Sequence, residues 1–309
     1  MPGSTTYIPK PAAERDAMNL PDILSAQVST KWDAFRRALA RDSGMAHQLC
    51  DIREQAQRVF AFSDFVAANC ARNPALLADL VASGDLRRSY APATLPQAVG
   101  AHLGGVVDDD DLMRHLRGLR QREMVRIAWR DLCGLADLGE TLADLTHLAE
   151  ACLEGALRTL SGQLFGRYGQ PRSRGGDLQD LVVLGMGKLG AAELNFSSDI
   201  DLIMTYPQAG LTRGGLQDIS CEDFFTRLSR RLIKVIGTTT ADGIVFRVDM
   251  DLRPFGGSGP LVINFDALEE YFMRQGREWE RYAWIKAHPV GGDKASCLLY
   301  TSPSPRDKI

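Results

Sequence analysis

The hydrophobic rhythm of this chain changes once along its length. From about residue 12 to residue 168, apolar positions recur every three or four residues among Ala, Leu, Arg, Asp and Glu. That is the period of amphipathic helices. Residues 46–62, 74–82, 111–132 and 140–165 are predicted as helices. Asn73-Pro74 offers a cap followed by a first-turn proline. The acidic run at 108–111 precedes Leu112, where carboxylates suit the positive end of a helix. A solvated helix start is the plainer reading of that run than a metal site. A helical bundle or array is expected for this half.

Residues 168–177, YGQPRSRGGD, have the Gly, Pro and Ser content of a loop. Beyond them strands mix with helices. The pattern predicts a buried strand over 181–184, a short helix over 188–194 and a second strand over 200–206. A helix over 223–236 gathers Phe224, Phe225, Leu228, Leu232 and Val235 on one side. Strands are expected over 243–252 and 260–264, with a turn at 255–259. One helix is expected over 266–286, and its aromatic stripe of Trp279, Tyr282 and Trp284 reads as core rather than as a base-stacking platform. From about residue 294, KASCLLYTSPSPRDKI has no periodicity and reads as a non-native tail. The expected division is a helical region over 1–170, an α+β domain over 171–293 and the tail over 294–309, with the natural protein continuing beyond this chain.

Composition adds exclusions. The chain has 309 residues, 45% hydrophobic and 24% charged, ordinary proportions for a soluble globular protein. A formal net charge of −3 gives no reason to expect bulk capture of nucleic acid. The longest apolar runs are too short to span a bilayer, and the N-terminal MPGSTTYIPKPAAERD lacks the apolar stretch of a signal peptide. The expected compartment is the cytoplasm. Cys50, Cys70, Cys133, Cys152, Cys221 and Cys297 are scattered without CxxC spacing and read as reduced, structural residues. The five histidines show no ligand spacing, and His47, His102, His115 and His147 read as bundle residues.

Candidate chemistry concentrates in residues 181–206, LVVLGMGKLGAAELNFSSDIDLIMTY. Gly185, Gly187 and Gly190 match GxGxxG between a strand and a helix, so a dinucleotide-binding unit has to be weighed. The spacing excludes it. Asp199 arrives nine positions after Gly190, whereas a parallel crossover needs about a dozen residues or more. The second strand is therefore expected to be antiparallel to the first. A Walker loop is excluded too, because Lys188 is followed by Leu189 and not by Ser or Thr.

The pattern that fits is a nucleotidyltransferase site. A glycine turn presents backbone N–H groups to phosphate. Asp199 and Asp201, at i and i+2 on a strand, share one face. Two carboxylates so close repel unless a cation compensates, which points to Mg²⁺. A third acid from FRVDMDLRP would complete the clamp, with Asp249 and Asp251 as candidates. If the alternation continues, Arg247 and Arg253 lie on the same face and can neutralise phosphate. Lys188 has two readings of equal weight, a phosphate contact or a first-turn helix residue. Glu193 and Asn195 are as readily helix-terminating residues as ligand contacts.

Three blocks now carry a specific resemblance: GMGKLGAAELNFSSDIDLIMTY, FRVDMDLRPFGGSGPLV and YFMRQGREWERYAWIKAHPVGGD. Together they resemble the N-terminal half of the bifunctional glutamine synthetase adenylyltransferase/adenylyl-removing enzymes, members of the polymerase-beta-like nucleotidyltransferases. The resemblance implies an α+β catalytic domain with a small mixed sheet behind a helical N-terminal region. It implies removal of AMP from a tyrosine of glutamine synthetase by phosphorolysis, yielding ADP, under control of the PII signalling protein. A second domain, absent here, would add AMP from ATP. By position, Asp199, Asp201 and Asp249 would be the Mg²⁺-binding carboxylates, and Gly185, Gly187 and Gly190 would lie against phosphate. The implied partners are glutamine synthetase, PII, orthophosphate and an adenine nucleotide. Forward adenylyl transfer from ATP, or a non-catalytic module binding glutamine synthetase or PII, are the rival readings. The chain departs from the family pattern at Asp251, where a basic residue is usual, at Gly257, near which an acid is common, and at His288, where arginine is usual.

Overall fold

The computed structural model describes residues 22–40 and 52–294. The N-terminal segment, the first part of the predicted 46–62 helix, His47, Cys50, Cys297 and the tail from 295 lie outside the described residues. The chain divides into two compact units between Ala78 and Asp79.

The first unit is helical: α1 (Asp22–Leu39), α2 (Arg53–Phe62), α3 (Asp64–Arg72) and the start of α4 (Pro74–Ala82). Phe35, Val59, Phe60, Val66 and Cys70 are buried in it. The rings of Phe35 and Phe60 meet edge-on at 5.7 Å. The Ser63 hydroxyl accepts from Val66 N–H at 3.2 Å, which separates α2 from α3.

The second unit carries the remaining helices and the strands. Its helical layer is α5 (Thr94–His102), α6 (Asp109–Leu132) and α7 (Leu138–Tyr168). Asp108 caps α6 by accepting from Asp111 N–H at 2.8 Å, so the acidic run is a helix start as its sequence suggests. Asp137 caps α7 in the same way from Glu140 N–H at 2.8 Å. Helix α6 defeats a simple reading by hydrophobicity, because Arg117, Glu123, Arg126 and Arg130 are all buried along it. Arg126 bonds Glu123 at 2.7 Å and Asp144 at 2.6 Å, and its guanidinium lies 3.6 Å from the Tyr90 ring centre. Fully desolvated charges of this kind persist only when paired.

Next come β1 (Gly169–Ser173), β2 (Val182–Gly185), α8 (Gly187–Gly190), β3 (Ile200–Tyr206) and β4 (Gly210–Gly214). The segment expected as a loop at 168–177 contains β1, which pairs antiparallel with β4 in a separate two-stranded sheet. Its Gly and Pro content misleads because the pairing partner lies some forty residues downstream, outside any local window. The rest is α9 (Cys221–Gly237), β5 (Val248–Asp249), β6 (Val262–Asn264), α10 (Phe265–Arg274), α11 (Glu278–Ala283) and β7 (His288–Gly292). The main sheet runs β5-β3-β2-β7, with β6 also on β3. Strands β2 and β3 are antiparallel, as the short connection requires. Strands β5 and β6 both run parallel to β3, one at each end of it. The sheet is small and mixed.

Helix α9 buries Phe224, Phe225, Leu228, Leu232 and Val235, the predicted apolar side. One continuous core joins Leu153, Leu157 and Leu160 of α7 to Val183, Met204, Leu228 and Val290. Burial pushes the Cys152 thiol up to about 12, in keeping with a structural role. Among the described residues Cys70, Cys133, Cys152 and Cys221 form no disulfide. Two predicted elements are shorter than expected. The strand over 243–252 reduces to Val248–Asp249. The helix over 266–286 breaks after Arg274, where Gln275 and Gly276 N–H both turn back to Tyr271 C=O at 2.8 Å. Among the described residues no helix is long and apolar enough to cross a membrane.

Candidate active site

The site forms where the glycine turn meets the N-terminal end of β3. The predicted helix over 188–194 is a single turn, Gly187–Gly190. Ala192 then takes a left-handed φ of 57°, and the chain loops to Asp199. Leu194 N–H is received by Thr146 of α7 at 3.3 Å. The turn is fastened to β3 by Met186 N–H, which donates to Asp201 C=O at 2.9 Å.

The three glycines have different reasons to be glycine. Gly187 has φ +56°, and a Cβ there would stand 3.1 Å from Asp201 Oδ2. It is the glycine that faces the carboxylates. A Cβ on Gly185 would lie 2.7 Å from Val290 Cγ1. A Cβ on Gly190 would lie 1.9 Å from Lys286 C=O and 2.3 Å from Gly185 C=O. Both of these are demanded by packing.

The carboxylates come together through strand register. Asp201 in β3 pairs directly with Asp249 in the parallel strand β5. Registered neighbours on parallel strands project from the same face. Burial, then the nearby Asp249 and Asp199 carboxylates, push the Asp201 carboxyl above the ordinary carboxylate range, while Lys188 pulls it back. Lys188 is exposed at the rim. Asp199, one residue before β3, is turned to Arg247, whose Nε donates to its Oδ1 and whose second guanidinium nitrogen donates to Ser197 C=O at 2.7 Å.

The downstream acids and arginines are not all on one strand face. Because β5 ends at Asp249, the alternation stops there and the expected grouping of Asp251 and Arg253 with it fails. Asp251 is exposed and donates its backbone N–H to Asp249 Oδ1 at 2.8 Å. Arg253 folds back onto Met250 C=O at 2.7 Å. The physical cause is the tight turn that follows, with Phe255 at φ 64° and Gly256 at φ 54°. Gly257 lies in a 3₁₀ turn, Gly256–Ser258.

Two placements at the rim were not legible in the sequence. His288 opens β7 directly opposite Gly185, so its departure from the family pattern falls beside the glycine turn. Trp279 and Tyr282, expected in the core, are 51% and 76% exposed, and Ile285 is 74% exposed. Only Trp284 of the stripe packs inward, 5.0 Å from Phe272. The break at Gly276 rotates α11 out of phase with α10, which a single continuous helix does not allow for. Lys286 ties this segment to the glycine turn through Glu193 at 3.0 Å. Asn195 accepts from the Ser198 hydroxyl at 2.6 Å.

Hard oxygen donors of this kind suit Mg²⁺. Asp201 and Asp249 are register neighbours, and a divalent cation would offset the mutual repulsion of their carboxylates. As placed, no three His, Cys, Asp or Glu side chains among the described residues close into a metal cage. Asp199, the remaining sequence candidate, is held by Arg247 instead.

Comparison with known proteins places these features in a family. The family model described as Glutamate-ammonia ligase adenylyltransferase matches residues 53–298. A bifunctional glutamine synthetase adenylyltransferase/adenylyl-removing enzyme of Thioalkalivibrio sulfidiphilus (strain HL-EbGR7) is 51% identical over 275 residues, 89% of this chain and 28% of that protein. The Pseudomonas aeruginosa protein of the same name is 48% identical over 286 residues, 92% of this chain and 28% of its own length. The Nitrosococcus oceani protein of that name is 53% identical over 236 residues, 76% of this chain and 24% of its own. The chain thus spans under a third of the length of these curated relatives. With the family matched across most of its residues, and a small mixed sheet presenting acids beside a glycine turn, this chain belongs to the glutamate-ammonia ligase adenylyltransferase family and has the nucleotidyltransferase fold.

Proposed function

We propose that this chain removes AMP from adenylylated glutamine synthetase by Mg²⁺-dependent phosphorolysis, and so takes part in regulating nitrogen assimilation. The observation that carries the reading is the register pairing of Asp201 with Asp249, with Gly187 against Asp201. An oxygen of orthophosphate attacks the adenylyl phosphorus, the bond from phosphorus to the tyrosine oxygen breaks, and ADP and a free tyrosine result. Mg²⁺, held by Asp199, Asp201 and Asp249, would supply neutralisation of the phosphoryl oxygens and of the departing tyrosinate. The chain's own residues bind and orient. Gly187 allows the turn to approach the acids, and backbone N–H groups of the turn suit phosphate oxygens. Arg247, now on Asp199, would be available to phosphate if Asp199 held Mg²⁺. PII acts as the regulatory partner and the compartment is the cytoplasm.

The experiment is discharge of adenylylated glutamine synthetase with and without orthophosphate, comparing the wild type with Asp201→Asn. Phosphate-dependent ADP should form with the wild type and not with the variant, at unchanged circular dichroism. ADP formation by Asp201→Asn at the wild-type rate overturns the assignment. Forward transfer from ATP is a second reading, favoured by the relatives' names, which carry both activities. Labelling of unmodified glutamine synthetase from radioactive ATP would support that direction instead. Lack of Mg²⁺ binding in a titration would support the non-catalytic alternative, a module that binds glutamine synthetase or PII.

A further inference from the structure

The basic residues of α9 face the C-terminal end of α7 across a cleft of about 470 Å³. The cleft is lined by Arg167, Arg227, Arg230 and Arg231, with Gln163 and Tyr168. Arg231 is neutralised by Asp109 and also donates to Gln163. Among the described residues no carboxylate pairs with Arg167, Arg227 or Arg230. Arg167 and Arg227 are instead held by the buried Tyr168 ring, with guanidinium carbons 5.2 and 5.5 Å from its centre. Three uncompensated guanidinium groups thus crowd one concavity of a chain whose net charge is −3. Their mutual repulsion is unfavourable until an anion enters, and a concave site concentrates the field on it.

We propose that this cleft is a binding site for a compact phosphate-bearing anion, separate from the Asp201–Asp249 centre and independent of the function proposed for that centre. Guanidinium forks match phosphoryl oxygens bidentately. A volume of about 470 Å³ suits a small molecule. Charge placement argues against an extended acidic peptide. An adjoining concavity shares Gln163 and Arg231 and is walled by Asp108, Asp109 and Asp110 with one further cation, Lys234, so the three carboxylates outnumber its two cations and a longer polyanion would run into net like charge. The occupant's negative charge must be confined to the arginine end. Tyr168 is buried and its ring is already occupied by the two arginines, so it offers no face for a base. Recognition is of the phosphoryl groups alone.

The test is calorimetric titration with inorganic pyrophosphate in EDTA, against a sodium chloride control of matched ionic strength. Saturable binding is expected in the wild type and in Asp201→Asn. Arg227→Gln/Arg230→Gln should weaken it at least tenfold. Both arginines are exposed, and thermal melting checks that the variant folds. Arg167→Gln, on the opposite helix, should weaken binding as well and supplies a second reading if the double variant melts early. Undiminished binding in the arginine variants, or loss of binding in Asp201→Asn, overturns the proposal. Tighter binding of a hexa-aspartate peptide than of pyrophosphate overturns it in favour of a protein partner.

Discussion

Gly187→Ala isolates the contact on which the candidate site depends. The substitution carries two separable penalties. Gly187 has a left-handed φ of +56°, which costs an alanine about 1–2 kcal/mol. The new methyl would also stand 3.1 Å from Asp201 Oδ2, so that carboxylate must give by a few tenths of an ångström. Gly84, in the same unit, has φ +72° and nothing within 4 Å of its would-be Cβ. Gly84→Ala therefore carries the backbone penalty alone. Gly84→Ala should lose about 1–2 kcal/mol in urea titration, a fall in Tm of roughly 2–8 °C for a unit of this size, and Gly187→Ala at least as much. Only Gly187→Ala should lose activity in the phosphate-dependent discharge assay. Misplacing a reacting group by 1 Å can cost about 100-fold, so a shift of a few tenths should cost on the order of 10-fold. Equal discharge rates in the two variants would show that Gly187 does not bear on the carboxylates, and the reasoning about the turn would collapse.

Arg117→Met should destabilise the fold by about 3 kcal/mol or more, because Arg117 is fully buried and donates to the carbonyls of Met113, Val235, Thr238 and Gly243. Hydrogen exchange should speed up over residues 238–247, and unchanged protection there would count against the tether. Burial alone would raise the Asp85 carboxyl, but hydrogen bonds from Arg122, Ser83, Tyr90 and Arg88 outweigh it and hold it at about 2. A depressed carboxylate stabilises the fold above its unfolded value, and the contribution is lost as pH falls through about 2. Asp85→Asn should thus cost about 2 kcal/mol at pH 7, with the gap to wild type closing between about pH 4 and pH 2 in denaturant titrations. Arg247→Met removes the cation from Asp199 and should tighten Mg²⁺ several-fold by calorimetry, while slowing phosphate-dependent discharge. Weaker Mg²⁺ binding in that variant would contradict a competition between Arg247 and metal for Asp199.

Much of the site was legible because its chemistry is local. Asp199 and Asp201 lie two residues apart, the glycine turn is contiguous with them, and the short connection after Gly190 forces the antiparallel pairing of β2 with β3. A helix start was legible at the acidic run, where Asp108 caps α6. Asp249 and Asp251 were both candidates from the sequence pattern, the family resemblance preferred Asp249, and its direct pairing with Asp201 is visible only in the register of two strands distant in sequence. Elements set by tertiary pairing were misread. Strand β1 depends on β4, and β5 is only as long as its overlap with β3. Periodicity also assigned Trp279 and Tyr282 to a core that the break at Gly276 turns them away from. Arg117 and Arg126 look like solvent-facing residues until the carbonyls and carboxylates they meet from other elements are known.

The packing of α7 has a practical consequence for anyone dissecting this chain. Its Glu154 accepts Gly292 N–H of β7 at 2.9 Å, and its leucines share a core with Val183 and Val290. A truncation beginning at residue 171, where the sequence changes character, would strip the sheet of its cover and expose Val183, Met204 and Val290 to water. A piece that retains the acids therefore has to keep α7 as well, and deletion series should be drawn upstream of Leu138 rather than from the shift in composition.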